Sequence, residues 1–411
     1  MEPTVLLIAT TSRSFAAAHL AMALVDSGFA VQAVCPARHP LCKITVVQQT
    51  HRYHGLTPLP SLAKAIGAAK PDLVLPCDDP ATLHLHDLYF QALHRGLAGA
   101  PTCSLIERSL GAPANFPAVY ERTTSMELAH EEGVRVPKSR VIANTNDLRN
   151  WIALMGFSTV LKSNGTSGGD GVWTVHTLEE AERALRILQA PPLLARAAKR
   201  ALLDREMTLL WPSILRERYV VNAQEFVAGR EATSAVACWK GTVLASLHFE
   251  VLQKQDAGGP STVLRLIENA EMLAATEKMA RRLELSGLHG FDFMLEAQTG
   301  QAYLIEINPR ATQVGHLTLG PGRDLPGALY AATTAQPPRP APKLTENDII
   351  ALFPQEWMRN PASAFLRSGY HDVPWEEPRF VRACVLGRSK QSAWYSQEKW
   401  SQAFSRVRHP R

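Results

Sequence analysis

Two hydrophobic periods run along this chain, and the switches between them mark its elements. Residues 4–9 (TVLLIA) form a short apolar run. An alanine-rich stretch with helical spacing follows from about Ser14 to Ser27, and Gly28 stands where a helix C-cap belongs. A second apolar run, FAVQAVC, covers 29–35, and a helix near 61–69, a strand at 72–76 and a helix near 81–94 continue the pattern. Such alternation predicts a parallel sheet with helices on its faces. The turn after the first strand, ATTSRSF, lacks the glycines of a dinucleotide fingerprint, which disfavours a nicotinamide-cofactor site there.

A stretch rich in alanine and proline at 111–117 (GAPANFP) reads as a linker. Beyond it the pattern predicts a helix at about 120–132, a strand at 135–142 and a helix capped near Asn146. The strand FSTVLK then runs into the loop SNGTSGGDG, alternating strands cover 219–252, a helix covers 270–285, and a hairpin covers 291–308. The proline-rich break AQPPRPAPK at 335–343 sets off a C-terminal segment. The expected division is 1–115, 116–334 and 335–411.

The hairpin FDFMLEAQTGQAYLIEINPR carries the strongest chemical signal. Gln298, Thr299 and Gly300 suit a three-residue turn. With the loop centred on Thr299, Asp292 lies directly opposite Glu306, and Asn308 shares their face. Leu304, Ile305 and Ile307 suggest a strand buried on both sides. Like charges placed opposite each other are destabilising unless a cation lies between them. Hard oxygen donors of this kind suit Mg²⁺, which keeps waters and bridges phosphates. A plain exposed hairpin is the bland alternative.

Two weaker signals precede it. In VLKSNGTSGGDGVW (160–173) a strand delivers Lys162 into a glycine-rich loop, whose N–H groups can approach phosphate oxygens closely. The loop does not end in the Gly-Lys-Ser/Thr of a Walker motif, and an ordinary surface hairpin explains it nearly as well. AQEFVAGREA (223–232) places a polar pair before an apolar strand, a glycine turn and a second acid, which alone reads as a structural strand.

In this order and spacing the three segments resemble the ATP-grasp superfamily over about residues 1–330. The resemblance implies an α/β chain with an N-terminal parallel α/β domain, a two-subdomain α+β ATP-grasp fold and a small C-terminal segment. It implies ATP and Mg²⁺ (or Mn²⁺) as cofactors. Lys162 would contact the phosphates, and Ser163, Gly165, Ser167, Gly168, Gly169 and Gly171 would fold over them as a lid. Gln224, Glu225, Phe226 and Val227 would form the adenine hinge, with Glu231 on the ribose. Asp292, Glu306 and Asn308 would hold the metal, and Arg310 would face the transferred phosphate or the substrate carboxylate. The chain departs from the family's pattern at Arg122, where a lysine is common, at Gln224, where an acid is common, and at Asp292, where glutamate is usual. Arginine keeps the charge and adds a bidentate fork.

The implied reaction is ATP-dependent ligation. A carboxylate takes the γ-phosphate to give ADP and an acyl phosphate, and an amine or similar nucleophile displaces phosphate. Rival readings are a carboxylase, carbamoylating enzyme or phosphotransferase of the same fold, a nucleotide sensor without turnover, and a scaffold. His248, Lys254, Arg265 and His316 are further polar candidates; His248 and His316 have an equally good structural reading, and Lys254 and Arg265 read better as solvated side chains of a loop. His248 is counted among the cofactor contacts.

Composition narrows little beyond this. A hydrophobic fraction of 46% and a charged fraction of 20% are those of a globular protein. No run of about eighteen uncharged apolar residues appears, so no membrane span is expected. An acidic Glu2 argues against a signal peptide. Six scattered cysteines point to reduced thiols and a cytoplasmic protein. Eight basic residues and one acid between Arg379 and Arg411 place a charge of +7 in the tail of a chain whose total is +5. That tail reads as a solvated face or, alternatively, as a patch for an acidic partner or a membrane surface. The expected partners are a small carboxylate and an amine, with no nucleic acid and a homodimer as one option.

Overall fold

The computed structural model describes residues 2–385 except 13, 98, 164–170, 200–209, 217, 257 and 341. Three sheets organise it. The first is parallel, with strands β1 (Thr4–Ile8), β2 (Ala30–Cys35), β3 (Gln49–Arg52) and β4 (Leu73–Pro76) in the order β3-β2-β1-β4. The run VLLI of β1 is fully buried on both faces, as a central parallel strand between helices requires. Helix Phe15–Ser27 covers one face, and helices Pro58–Ala69, Asp79–His94 and Pro101–Leu110 cover the other. Gly28 ends the first of these helices at φ 115, and a β-carbon there would come within 2.8 Å of the Tyr330 ring. The stretch 111–117 passes through a 3₁₀ turn at Pro113–Asn115 into helix Phe116–Tyr120, followed by helix Arg122–Glu131.

The second sheet is small and antiparallel, with β5 (Ser139–Ile142), β6 (Thr159–Ser163), β7 (Val172–Val175) and β8 (Val221–Glu225) in the order β5-β8-β6-β7. Helices Thr145–Met155 and Leu178–Gln189 pack on it through Leu148, Trp151, Ala181, Leu185 and Leu188. The first of them is capped by Asn144 in a capping box with Asp147, two residues before the expected cap.

The third sheet holds seven strands: β9 (Gly229–Trp239), β10 (Thr242–Lys254), β11 (Ser261–Leu266), β12 (Gly287–Glu296), β13 (Ala302–Asn308), β14 (Ile349–Ala351) and β15 (Tyr370–His371). Their order is β13-β12-β9-β10-β11-β14-β15. Its two faces bury different cores. Ala232, Val236, Phe291 and Phe293 meet helix Ala270–Arg282 through Met272, Ala275 and Met279, spaced three and four residues apart. Ala235, Ala237, Leu247 and Phe249 pack instead toward the first sheet and its helix Phe15–Ser27.

The C-terminal segment adds β14 and β15 to this third sheet. The basic tail begins with Arg379 and Arg382 exposed, while apolar residues between and after them turn inward. Phe380 is fully buried against Phe15, His19 and Phe353, and Cys384 is buried as well, because this stretch closes the first core. Trp394 and Trp400 lie outside the described residues. Among the described residues no helix is long and apolar enough to cross a membrane.

Candidate active site

The hairpin of β12 and β13 places Gly290 opposite Asn308, Phe291 opposite Ile307 and Asp292 opposite Glu306. That register arises by a different route from the expected three-residue turn. The turn takes residues 297–300, closed by Gly300 N–H to the Glu296 carbonyl at 2.8 Å and Glu296 N–H to the Gln301 carbonyl at 2.9 Å. Near it Leu295 pairs with Ala302 and Phe293 with Leu304. A bulge beside Ile305 then shifts the pairing by one residue and restores Asp292 to Glu306. The bulge also corrects the burial expected for β13. Ala302, Leu304 and Ile307 are buried, while Ile305 and Glu306 are only partly so, and one face of the strand stays open.

On that open face the acids are held by named partners. Asp292 accepts from Thr233 Oγ1 at 2.8 Å and from Asn308 Nδ2 at 2.8 Å. Asn308 Oδ1 accepts in turn from Arg310 Nη2 at 3.2 Å. A flip of the Asn308 amide would turn its oxygen toward the carboxylates. Glu306 takes a hydrogen bond from Arg122 Nη2, whose other terminal nitrogen, Nη1, is buried without a partner. Burial, then the neighbouring Glu306, raises the Asp292 carboxyl above its ordinary value. Burial alone would raise Glu306 too, but Arg122 and Lys162 hold it below the usual range. Lys162 is buried at the end of β6, where desolvation, then Arg122, pulls it down to about 8 against the opposing pull of Glu306, Asp292 and Glu231. Two carboxylates and three cations thus share one cleft.

The first sheet clamps this cleft from outside. Asp78 follows the carboxyl end of β4 and caps helix Asp79–His94 by accepting from Ala81 N–H at 3.0 Å. It also accepts from Thr10 N–H at 2.7 Å and Thr11 N–H at 3.0 Å. The next residue, Asp79, is thereby aimed at Arg310, and Arg310 Nε donates to its Oδ1 at 2.8 Å. Thr82 Oγ1 donates to the Pro309 carbonyl at 2.7 Å, and Ala311 N–H to the Pro76 carbonyl at 3.0 Å. Sequence reasoning missed Asp79, Thr82 and Thr233. The pair Asp78-Asp79 before Pro80 carries only a helix-start signal, and Thr233 carries none.

The other expected residues fall into three groups. Gln224 is buried in β8, and Glu225, Phe226 and Val227 continue from its end, with Phe226 exposed. Glu225 N–H is spent on the Lys138 carbonyl at 2.9 Å, so a base at this hinge would meet Glu225 through its carbonyl. Gly229 runs so close to β12 that a β-carbon would lie 2.0 Å from the Leu295 carbonyl oxygen. Glu231 pairs with Lys254 at 2.9 Å. Ser163 N–H donates to the Gly171 carbonyl at 2.9 Å, whereas Gly165, Ser167, Gly168 and Gly169 lie outside the described residues.

His248 is not brought to the cleft. It stands opposite Ser234 in the β9–β10 pairing and hydrogen-bonds Ser234 Oγ at 2.7 Å. Ser234 alternates with Thr233, so His248 lies on the sheet face away from Asp292. Burial lowers its imidazole to about 4. Arg265 approaches Glu250 at 3.8 Å, and His316 joins a separate cluster with Asp372 at 3.0 Å.

Residues 211–314, the stretch from before the hinge to just past Arg310, match the family model of the ATP-grasp domain. The protein has an ATP-grasp fold. Over 209 residues, 50% of this chain, it is 25% identical to the carbamoyl phosphate synthase large chain of Methanoculleus marisnigri. The aligned part is 18% of that relative's length, so the chain spans a small part of it. Among solved structures, the ADP complex of purK, an N5-carboxyaminoimidazole ribonucleotide synthetase, superposes with a TM-score of 0.58 at 16% identity, covering 82% of this chain and 79% of that one. An L-amino acid ligase from Bacillus licheniformis superposes with a TM-score of 0.52 at 14% identity, covering 82% and 75%. The likeness to both lies in the fold.

Proposed function

We propose that this ATP-grasp protein is an ADP-forming ligase, which phosphorylates a small carboxylate with Mg-ATP and passes the acyl group to an amine or similar nucleophile. The observation that carries the reading is the open face of the hairpin. Asp292 and Glu306 confront each other there, beside a buried Arg122 nitrogen with no partner and a desolvated Lys162. Opposed carboxylates fit a divalent cation between them, and unspent buried cationic donors fit phosphate oxygens.

In this reading Asp292, Glu306 and Asn308 would hold Mg²⁺, which when bound would neutralise charge on the phosphates. Arg122 and Lys162 meet the polyphosphate, and the end of β8 at Glu225 to Val227 meets the base. Arg310, oriented by Asp79, meets the phosphate in transfer and stabilises the charge that grows there. Phosphoryl transfer asks for positioning and charge neutralisation more than for covalent help from the protein, and these residues supply both. The named functions of the similar proteins are consistent with it, since a synthetase and a ligase are among them.

A screen of amino acids and small carboxylates for substrate-dependent phosphate release identifies the acid. With ¹⁸O in that acid's carboxyl group, one label is expected in the released phosphate, carried over through the acyl phosphate. Formation of AMP and pyrophosphate, with the label in AMP and none in phosphate, would show adenylation and overturn the proposal.

A further inference from the structure

The parallel sheet carries a pair of thiols that the proposed chemistry does not use. Cys35 is the last residue of β2 and is buried, while Cys42 sits in the 3₁₀ turn Pro40–Lys43 and is exposed. Seven residues apart in sequence, their sulfurs stand 3.7 Å apart. The six cysteines read as scattered along the chain, and the fold brings these two into contact.

We propose that Cys35 and Cys42 form an oxidation site, in which Cys42 is the thiol attacked by a peroxide and Cys35 the thiol that resolves it. Three features of the geometry support those roles. Cys42 faces solvent, so a small oxidant reaches it, whereas Cys35 is buried at the strand end. The sulfurs lie about 1.7 Å beyond the roughly 2.0 Å of a disulfide, a gap that movement of one short turn closes. The Cys42 sulfur is also placed to carry negative charge. The Cys35 S–H leans on it, and this contact, then the nearby backbone of Arg38 and His39 and the Lys43 charge, hold its pKa below the ordinary thiol value despite partial burial. Cys35 is shifted the other way by the same contact and by burial, and stays a thiol. An accessible thiolate beside a resolving thiol is the arrangement that favours selective oxidation.

The chemistry balances without a metal. The Cys42 thiolate attacks one oxygen of hydrogen peroxide, breaking the O–O bond; hydroxide leaves and takes up a proton as water, and Cys42 becomes a sulfenic acid. Cys35 sulfur then attacks the Cys42 sulfur, the S–O bond breaks, and the second oxygen leaves as water with the Cys35 proton. Two thiols have lost two electrons, and peroxide has gained them. Closure would draw the 40–43 turn toward β2. Two residues beyond that turn, Thr45 donates through both N–H and Oγ1 to Glu377 at 2.7 Å, so the movement pulls on the contact between the first sheet and the C-terminal segment.

The full-length protein is treated with a small excess of hydrogen peroxide, alkylated under denaturing conditions and digested with trypsin. Cleavage after Arg38 puts the two cysteines on separate peptides, so their joining is read directly by mass. The expected result is one product lighter by two hydrogens, with peptide 39–43 linked to the peptide ending at Arg38, four alkylated cysteines remaining of the six, and full reversal by dithiothreitol. Cys35→Ser should stop at a Cys42 sulfenic acid that dimedone traps, and Cys42→Ser should keep all its thiols. Alkylation of Cys42 in the native protein should show its inflection below pH 7.5, at least a unit under the roughly 8.5 of a free cysteine. Six alkylated thiols after peroxide, a disulfide joining any other pair, or equal dimedone labelling of Cys35 in Cys42→Ser would overturn the assignment. Circular dichroism of both serine variants separates loss of the fold from loss of the thiol.

Discussion

Two polar clusters stand at the two ends of one short loop; both keep buried nitrogens without a partner, and they differ in access and in charge. At Glu306 to Arg310 the carboxylates face a cleft, charged groups of both signs meet, and Arg122 keeps a buried nitrogen without a partner. Six residues past Arg310, His316 lies inside the first core with His19 and Asp372, which come from the first helix and the last strand region. Asp372 accepts from His316 Nε2 at 3.0 Å and from the Phe353 N–H, and His19 Nδ1 stands 4.0 Å away. Burial lowers both imidazoles to about 4 and raises Asp372 to about 6, so at neutral pH one carboxylate sits among neutral rings. Phe353 and Phe380 line the cluster. The first cluster is open and holds opposed charges that a ligand can settle. The second is closed, and its work is to join three segments far apart in sequence. Density of titratable groups does not separate a site from a latch; access and unsettled charge do.

Substitutions on each side sharpen the contrast, and the largest effect is expected at the hairpin. Glu306→Gln and Asn308→Ala should each lower Mg-dependent turnover by about a hundredfold or more, several kcal/mol of transition-state stabilisation, while the melting temperature barely moves. Normal turnover in Glu306→Gln would end the metal assignment. Asp372→Ala should do the opposite. It strips the Phe353 N–H and His316 of a buried acceptor, which costs about 3 kcal/mol of stability and lowers the melting temperature by several degrees, with kcat per folded molecule nearly intact. A hundredfold loss of kcat with unchanged melting would place this cluster in the chemistry. The smallest effect tests the link across the cleft. Asp79→Asn keeps the shape but weakens the charged hydrogen bond to Arg310, so kcat should fall about tenfold with ATP affinity unchanged. An equal loss of ATP affinity would mean that Arg310 serves binding and not transfer.

The same contrast governs what could be read from the chain. The hairpin was legible because everything it needs is local. Asp292, Glu306 and Asn308 lie within seventeen consecutive residues, and a strand period of two assigns them to one face. Even there the turn was misread by one residue, and the bulge at Ile305 happened to restore the pairing, a shift that strand alternation alone does not foretell. His248 shows the opposite failure. It lies in a correctly expected strand, but which face of a central strand meets the cleft depends on its neighbours on both sides.

By itself the sequence determined the parallel first sheet, the order of the segments carrying Lys162, Gln224 and Asp292, and the acids that converge on the hairpin. Apolar period, glycine placement and side-chain alternation act over a few residues, so the chain states them directly. Only the tertiary structure decided that Asp79 orients Arg310 across 231 residues, that Phe380 closes the first core, that His19, His316 and Asp372 form one buried cluster, and that Cys35 and Cys42 touch. Each of those depends on where a loop or strand end is carried by the packing of whole sheets, which no local pattern encodes.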